Sequence, residues 1–183
     1  MLPYVNIHTH RPTGSGIELR TAGVHPWDAA AQDAATLGQR LGGAQAVGET
    51  GLDFVHGPAR EVQFEALRAQ LRLARERGLP VVLHCVKAFE PLMRCLAASE
   101  PRAVIFHGFI GSPEQARQAL AKGYYLSFGE RAFASPKTLA ALRETPLSQL
   151  FWRPTTAPCP LRKFTPGRRR RKECRWRLSL IHI

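Results

Sequence analysis

The chain contains 183 residues, of which 44% are hydrophobic and 22% are charged, a composition that can bury the core of one globular domain. The net charge of +12 belongs mainly to the end of the sequence: residues 1–150 carry 16 Lys and Arg against 13 Asp and Glu, whereas residues 151–183 carry 10 against 1. No apolar stretch approaches the roughly 18 residues of a membrane span, and the first residues lack the pattern of a signal peptide. The sequence therefore predicts a cytoplasmic protein and excludes a membrane protein.

Short runs of apolar and β-branched residues alternate with segments of helical period along the first 150 residues, a rhythm typical of βα units around a parallel sheet. The predicted strands are, in chain order, residues 4–10, 22–25, 45–47 leading into the segment GETGLD, 81–85, 104–107 and 124–128. The clearest predicted helix covers residues 62–77, and Gly78 ends it. Ser112 and Ser135 each precede a proline and are predicted helix N-caps.

The histidines fall at equivalent places in this pattern. Six residues stand at or near the C-terminal end of a predicted strand: His8, His10, His25, Glu49, His84 and His107. In a parallel barrel those ends face one common mouth, so residues far apart in sequence converge there. His8 and His10 are two apart on one strand, so their side chains leave the same face and can share one ion. Any one of these histidines is explained as well by hydrogen bonding in the core or at the rim, but the whole set favours a metal site.

Other residues near these positions have more than one interpretation. His56 is predicted to lie on the surface, with a role facing the substrate left open. Trp27 either packs at the rim or stacks on a ligand. Asp53 leads a helix, supports a metal ligand or is itself a ligand. Lys87 would matter as a carbamylated bridge between two metal ions, but Glu49 makes such a bridge unnecessary.

Five motifs occur in order: HTH at 8–10, GVHPW at 23–27, GETGLD at 48–53, PVVLHC at 80–85 and IFHGFIGS at 105–112. Over residues 4–150 they resemble the TatD family of metal-dependent deoxyribonucleases and hydrolases, within the amidohydrolase-like barrel superfamily. The resemblance implies an α/β fold, a TIM-like (β/α) barrel that holds two divalent metal ions, whether zinc, magnesium or manganese. It also implies the following roles: His8 and His10 bind one ion, Glu49 bridges both ions and is catalytic, His84 and His107 hold the second ion, and His25 faces the substrate.

The chain departs from the family pattern in two places. The family usually has an aspartate two residues before its first histidine, and here that position is Asn6. The family also has a later ETD motif whose aspartate binds the first ion, and this sequence contains no ETD. We therefore expect the chain to supply only five of the family's protein ligands, to lack the last strands of the barrel and to be impaired in activity.

The last 33 residues, 151–183, form the second predicted region, a disordered basic tail that includes the run from Arg168 to Lys172. The genetic code permits a frameshift here: if Phe151 to Thr155 are read as TTY TGG AGA CCG ACN, the frame that begins at the third base encodes LETD. The ending LSLIHI is also the direct translation of CTGTCTCTTATACACATC, which resembles a transposon-end sequencing adapter. We interpret residues 151–183 as a product of frameshift and adapter sequence.

The leading hypothesis from the sequence is a TatD-like deoxyribonuclease, a two-metal hydrolase of phosphodiester bonds whose partner is its DNA substrate; no obligate protein partner is implied. A first alternative is a hydrolase of the same barrel class that acts on small esters or amides. A second is a non-catalytic protein that binds nucleic acid through the basic tail.

Overall fold

The structure, a computed structural model, describes residues 5–6, 17–31 and 34–152. Within these residues the strands are β1 Val5–Asn6, β2 Ile17–Glu18, β3 Thr21–Ala22, β4 Ala46–Asp53, β5 Val81–Val86, β6 Val104–Phe106, β7 Tyr125–Phe128 and β8 Leu150–Trp152. The α-helices are α1 Ala34–Arg40, α2 Arg60–Glu76, α3 Phe89–Ser99, α4 Pro113–Ala121 and α5 Pro136–Glu144. Short 3₁₀ segments lie at Pro26–Ala31, Leu41–Gly43, Glu130–Ala134 and Leu147–Gln149. None of the described helices combines the length and apolar character needed to cross a membrane.

Six parallel strands, β3 to β8, form one sheet in which each strand lies beside the next one in the chain. β1 and β2 form a separate parallel pair. An α-helix separates each strand from the next between β3 and β8, so the order is strand, helix, strand throughout. Parallel strands joined in this sequential order are the arrangement of a (β/α) barrel, and the predicted α/β fold is confirmed.

The sheet buries apolar side chains on both faces, because successive residues of a strand point in opposite directions. On one face Leu83 and Phe106 belong to the large core that the helices cover. On the other face Val82 and Ile105 pack with Phe151 in a smaller cluster. A sheet that is apolar on both faces is typical of parallel α/β folds, where helices cover one side and the barrel interior is filled by side chains.

Helix α2 confirms the clearest helical prediction, with bounds Arg60–Glu76 instead of residues 62–77. Its buried face includes Leu67, Leu71 and Ala74, at the spacing that the sequence showed. Gly78 follows the helix with φ +61°, a left-handed conformation that glycine adopts without steric cost.

Both predicted N-caps are present. The Ser112 side chain accepts a hydrogen bond from the Gln115 backbone N–H, and the Gln115 side chain accepts one from the Ser112 backbone N–H, which completes a capping box at the start of α4. Ser135 caps α5 by accepting from the Thr138 backbone N–H. These bonds fix where the two helices begin.

The second predicted strand, residues 22–25, is shorter than expected. Strand pairing ends at Ala22, and the backbone of Val24 instead bonds to the side chain of Gln70, whose Oε1 and Nε2 lie 2.8 and 3.1 Å from the Val24 N and O atoms. A side chain of α2 thus takes the place of a neighbouring strand, and His25 stands on a segment fixed by α2.

The last described strand extends two residues into the predicted tail. β8 pairs with β7, and Phe151, 5% exposed, packs on Ala46, Val82 and Ile105. The sequence pattern did not predict this strand, because it has only three residues and one buried side chain cannot show the alternation typical of a strand. Residues 153–183 lie outside the described residues, and so does the predicted irregularity of that region.

Candidate metal centre

Three potential metal ligands come together from three neighbouring strands of the sheet. His25 follows β3, Glu49 lies in β4 and His84 lies in β5. Their ligand atoms all lie within 4.8 Å of one another. His84 Nδ1 is 3.2 Å from His25 Nε2 and 3.1 Å from Glu49 Oε1. Two imidazoles and a carboxylate therefore converge at one point on the sheet.

Two glycines allow β4 to approach β5 closely around Glu49. A Cβ on Gly51, which has φ +142°, would overlap the carbonyl oxygen of His84, and a Cβ on Gly48, at φ +154°, would lie 2.6 Å from the carbonyl oxygen of Val82. Glu49 can therefore lie close to His84 only because residues 48 and 51 have no side chain.

Asp53 supports this group by bonding to the second ring nitrogen of His84. Its side chain is only 1% exposed, and Oδ2 lies 3.1 Å from His84 Nε2. Trp27 Nε1 donates to the same oxygen at 2.7 Å, and the backbone N–H groups of Val55 and His56 donate to Oδ1 at 2.8 and 2.9 Å. Burial of Asp53 opposes its ionisation, but these four hydrogen bonds outweigh burial and hold its pKa below the ordinary value. Of the three interpretations of Asp53, this geometry favours a carboxylate that orients a histidine.

The two histidines of the group have pKa values that move in opposite directions. Burial of His84 opposes its protonation, but hydrogen bonds to Glu49 and Asp53 and their negative charges outweigh burial and raise its pKa. Burial of His25 and its proximity to His84 lower the pKa of His25. Relative to an ordinary histidine, protonation is thus favoured at His84 and disfavoured at His25.

Two buried glutamines on α2, Gln63 and Gln70, position the loops of the site. Gln63 accepts from the backbone N–H of Asp53 at 2.8 Å and donates to the Asp53 carbonyl at 2.9 Å. Gln70, two turns further along, holds Val24 next to His25. The sequence analysis missed both residues, although a signal was present: they are polar residues that share a helix face with buried Leu67 and Leu71.

A cavity of about 430 Å³ opens beside the next strands of the sheet. His107, which directly follows β6, lines it, as do Lys87 and Lys137. Both lysines are exposed, and neither forms a salt bridge with another described residue. Lys87 has φ +50°, a left-handed backbone conformation that is uncommon outside glycine and that often marks functional loops. Thr138 and the capping residue Ser112 also line the cavity.

The structure therefore brings together three of the six predicted site residues and places a fourth nearby. His25, Glu49 and His84 form the ligand group, and His107 lines the adjacent cavity. His8 and His10 lie outside the described residues. His25 stands among the possible ligands, whereas the sequence analysis predicted that it faces the substrate.

The donor set fits a divalent transition metal. Imidazole nitrogen and carboxylate oxygen are ordinary ligands of zinc and manganese. When the His84 ring is neutral, its Nε2–H donates a hydrogen bond to Asp53, which leaves the lone pair of Nδ1 directed toward Glu49 and His25. This is the arrangement in which a buried carboxylate fixes the tautomer of a metal-binding histidine.

Most of the sequence matches the model of one protein family. Residues 16–164 match the profile described as TatD related DNase. The chain belongs to this family. The TatD resemblance seen in the motifs is thereby confirmed, and metal-dependent hydrolases are among the relatives of this TatD chain.

Curated relatives of this TatD chain include two kinds of protein. The chain is 42% identical to the "3'-5' ssDNA/RNA exonuclease TatD" of Cronobacter sakazakii over 117 residues, which are 58% of this chain and 43% of that protein. It is 33% identical to the "uncharacterized metal-dependent hydrolase YabD" of Bacillus subtilis over 133 residues, 70% of this chain and 51% of that protein. The chain thus spans about half the length of the curated relatives that it matches.

Solved TatD structures share the fold. A TatD family hydrolase from Entamoeba histolytica superposes with a TM-score of 0.67 at 22% identity, covering 75% of this chain and 50% of that one. The TatD homologue YJJV from Escherichia coli gives a TM-score of 0.65 at 29% identity, covering 73% of this chain and 56% of that one. The likeness supports the TIM-like (β/α) barrel predicted for residues 4–150.

Proposed function

We propose that the protein is a metal-dependent hydrolase of phosphodiester bonds in nucleic acids, with DNA as its substrate. The observation that carries this proposal is the convergence of His25, Glu49 and His84 within 4.8 Å in a chain of the TatD family. The names of the relatives support the substrate class, since several are 3'-5' ssDNA/RNA exonucleases.

The proposed ligands differ in the observations that support them. Glu49 and His84 would hold a divalent ion, and His25 lies close enough to join them. His8, His10 and His107 remain ligands proposed from the resemblance, with Glu49 as the bridge between two ions. Divalent ions in such a donor set act as Lewis acids toward a phosphoryl oxygen and lower the pKa of water.

The protein's own groups prepare the site for this chemistry. Asp53 orients the His84 ring through Nε2, and the glycines of β4 let Glu49 face it. Burial and the nearby His84 lower the pKa of His25, which favours its neutral ring, the form that can offer a lone pair to an ion. Lys87 and Lys137 supply positive charge along the adjacent cavity, where the anionic backbone of a nucleic acid would lie.

The proposal is tested by comparing substrates on one preparation of the full chain. Single-stranded DNA, duplex DNA, a small aryl phosphodiester and an aryl acetate are incubated with protein loaded with Mg²⁺, Mn²⁺ or Zn²⁺, and with EDTA. We expect metal-dependent cleavage of single-stranded DNA. Cleavage of the acetate in place of every phosphodiester would instead support the small-ester hydrolase.

Glu49→Gln is the decisive variant, because it removes the negative charge while preserving the size of the side chain. We expect its cleavage rate to fall by at least about 100-fold, the upper end of the loss seen when only a group behind a ligand is removed. Glu130→Gln serves as the matched control, because Glu130 lies in the 3₁₀ segment after β7 and is outside the ligand group. Equal rates for wild type and Glu49→Gln would refute the proposed site.

A further inference from the structure

Trp27 is an exposed aromatic side chain that is nevertheless fixed in place. The residue is 52% exposed. Its indole N–H donates to the buried carboxylate of Asp53 at 2.7 Å, and its backbone N–H lies 3.3 Å from His25 Nδ1. A tryptophan held by a charge-assisted hydrogen bond at one edge keeps the orientation of its ring while leaving ring surface open to solvent.

The indole lies directly beside the candidate metal centre. Its ring centroid is 4.9 Å from that of His25 and 6.1 Å from that of His84, in both cases edge to face. His56, whose side chain is 62% exposed, lies at 5.4 Å in a tilted arrangement. A flat molecule on the exposed part of the indole would therefore lie next to the group that would hold the metal.

The location also differs from that of the lysine-lined cavity. Trp27 follows β3, at one side of His84 in the order of the sheet, whereas the cavity involves residues that follow β5, β6 and β7. Trp27 thus offers apolar contact on one side of the candidate centre, and Lys87 and Lys137 offer positive charge on the other. A nucleotide has the same two parts, a flat base and an anionic phosphate.

We propose that Trp27 is a stacking platform for an unpaired nucleobase of the substrate, next to the phosphate that is cleaved. The proposal rests on the proposed function and names the substrate class of that site, a single-stranded nucleic acid. Inside a duplex both faces of a base are covered by its neighbours, so an aromatic platform selects bases that are unpaired or at a strand end. Because the hydrogen bond to Asp53 already orders the indole, stacking costs little conformational entropy at this residue.

The test compares oligonucleotides that differ only in their bases. Binding of a fluorescently labelled oligo-dT and of an abasic oligonucleotide of equal length to the full chain is measured by anisotropy in EDTA, so that no cleavage occurs. Stacking of one base contributes about 1–3 kcal/mol, which corresponds to about 5- to 150-fold tighter binding of oligo-dT. We expect Trp27→Ala to remove this preference and Trp27→Phe to keep part of it. Phe133→Ala, which removes an aromatic residue that is 59% exposed after β7, should leave the preference unchanged.

A second measurement keeps the proposal testable if Trp27→Ala does not fold. Oligo-dT should quench the tryptophan fluorescence of wild type more than the abasic strand does, and Trp27→Phe should lose that difference. Equal binding and equal quenching by the two strands in wild type would overturn the stacking role, even if single-stranded DNA is cleaved. Absence of cleavage of every phosphodiester would overturn the proposed function instead, whereas the base preference is measured without catalysis.

Discussion

The two sides of the candidate site are built in different ways. On the side of β3, β4 and β5, the buried side chain of Asp53 bonds to His84, and the buried side chains of Gln63 and Gln70 bond to the backbone near the ligands. On the other side, residues that follow β5, β6 and β7 line an open cavity: Ser112 and Ser135 bond within their own helix starts, and Lys87 and Lys137 are exposed.

This difference matches two physical requirements. Ligands must be held in fixed positions for a metal ion to bind tightly, and buried hydrogen-bond networks provide that rigidity. A polymeric anion needs only positive charge along its path, which flexible lysines provide without fixed geometry. We therefore expect substitutions on the first side to change metal binding or stability, and substitutions on the second side to change the salt dependence of nucleic-acid binding.

Among substitutions of the residues that position the ligands, the largest effect is expected from Asp53→Asn, which weakens the hydrogen bond to His84. The carboxylate accepts from Trp27 and His84 at Oδ2 and from two backbone N–H groups at Oδ1, whereas an amide has only one acceptor oxygen. Loss of such support typically lowers metal affinity about 10- to 100-fold. Zn²⁺ affinity measured by calorimetry checks this. Asp28→Asn is the matched control, because Asp28 is exposed and follows His25 on the same segment. Equal affinities of Asp53→Asn and wild type would show that Asp53 does not orient His84.

The pH dependence of Zn²⁺ affinity sharpens the same comparison. Metal binding requires a neutral imidazole, so protons compete with the metal once the pH falls to the pKa of His84. Because Glu49 and Asp53 raise that pKa in the apo protein, the affinity should begin to fall at a higher pH than for an ordinary histidine. In Asp53→Asn the pKa of His84 drops, and the fall should shift to lower pH. Titrations between pH 5 and pH 9 measure this shift.

The convergence of the candidate ligands could be predicted from the sequence, but the residues that hold their loops in place could not. His25, Glu49 and His84 were predicted from their positions near strand ends, because parallel strands bring such residues to one place. Gln63 and Gln70 were not predicted, since their role depends on which loop packs over α2. That packing is a tertiary contact that the helical period alone does not encode.

The same limit applies to the fold. The alternation of strands and helices was visible because most of these segments are long enough to show a period, as in α2. The strands β2 and β8 have two and three residues and were missed. Such short strands exist because their neighbours in the sheet hold them, so no local pattern marks them.

An intermediate effect is expected from Gln70→Ala, which removes two hydrogen bonds to Val24. Because Val24 is partly buried, water can replace part of the lost hydrogen bonding. The free energy of unfolding should therefore fall by about 1 kcal/mol. Urea denaturation of the apo protein measures it. Gln118→Ala, on the exposed face of α4, should have little effect and is the control. A fall of equal size in both variants would show that helix α2 does not fix the His25 segment.

The smallest effect is expected on the other side of the site, from Lys87→Ala and Lys137→Ala. Each lysine that neutralises one phosphate of a single strand contributes about 0.7 to the slope of log K against log salt concentration, so each variant should lower that slope by about this amount. Lys122→Ala is the control, because Lys122 precedes β7 and thus lies at the opposite end of the sheet from the cavity. Binding of oligo-dT in EDTA at several salt concentrations gives the slopes of wild type and of the three variants.

If all three variants lower the slope equally, the lysines act through the net charge of the protein, and the cavity is not the phosphate path. If only the two cavity variants do so, while Zn²⁺ affinity is unchanged in both, metal binding and polymer binding are separate properties of the two sides.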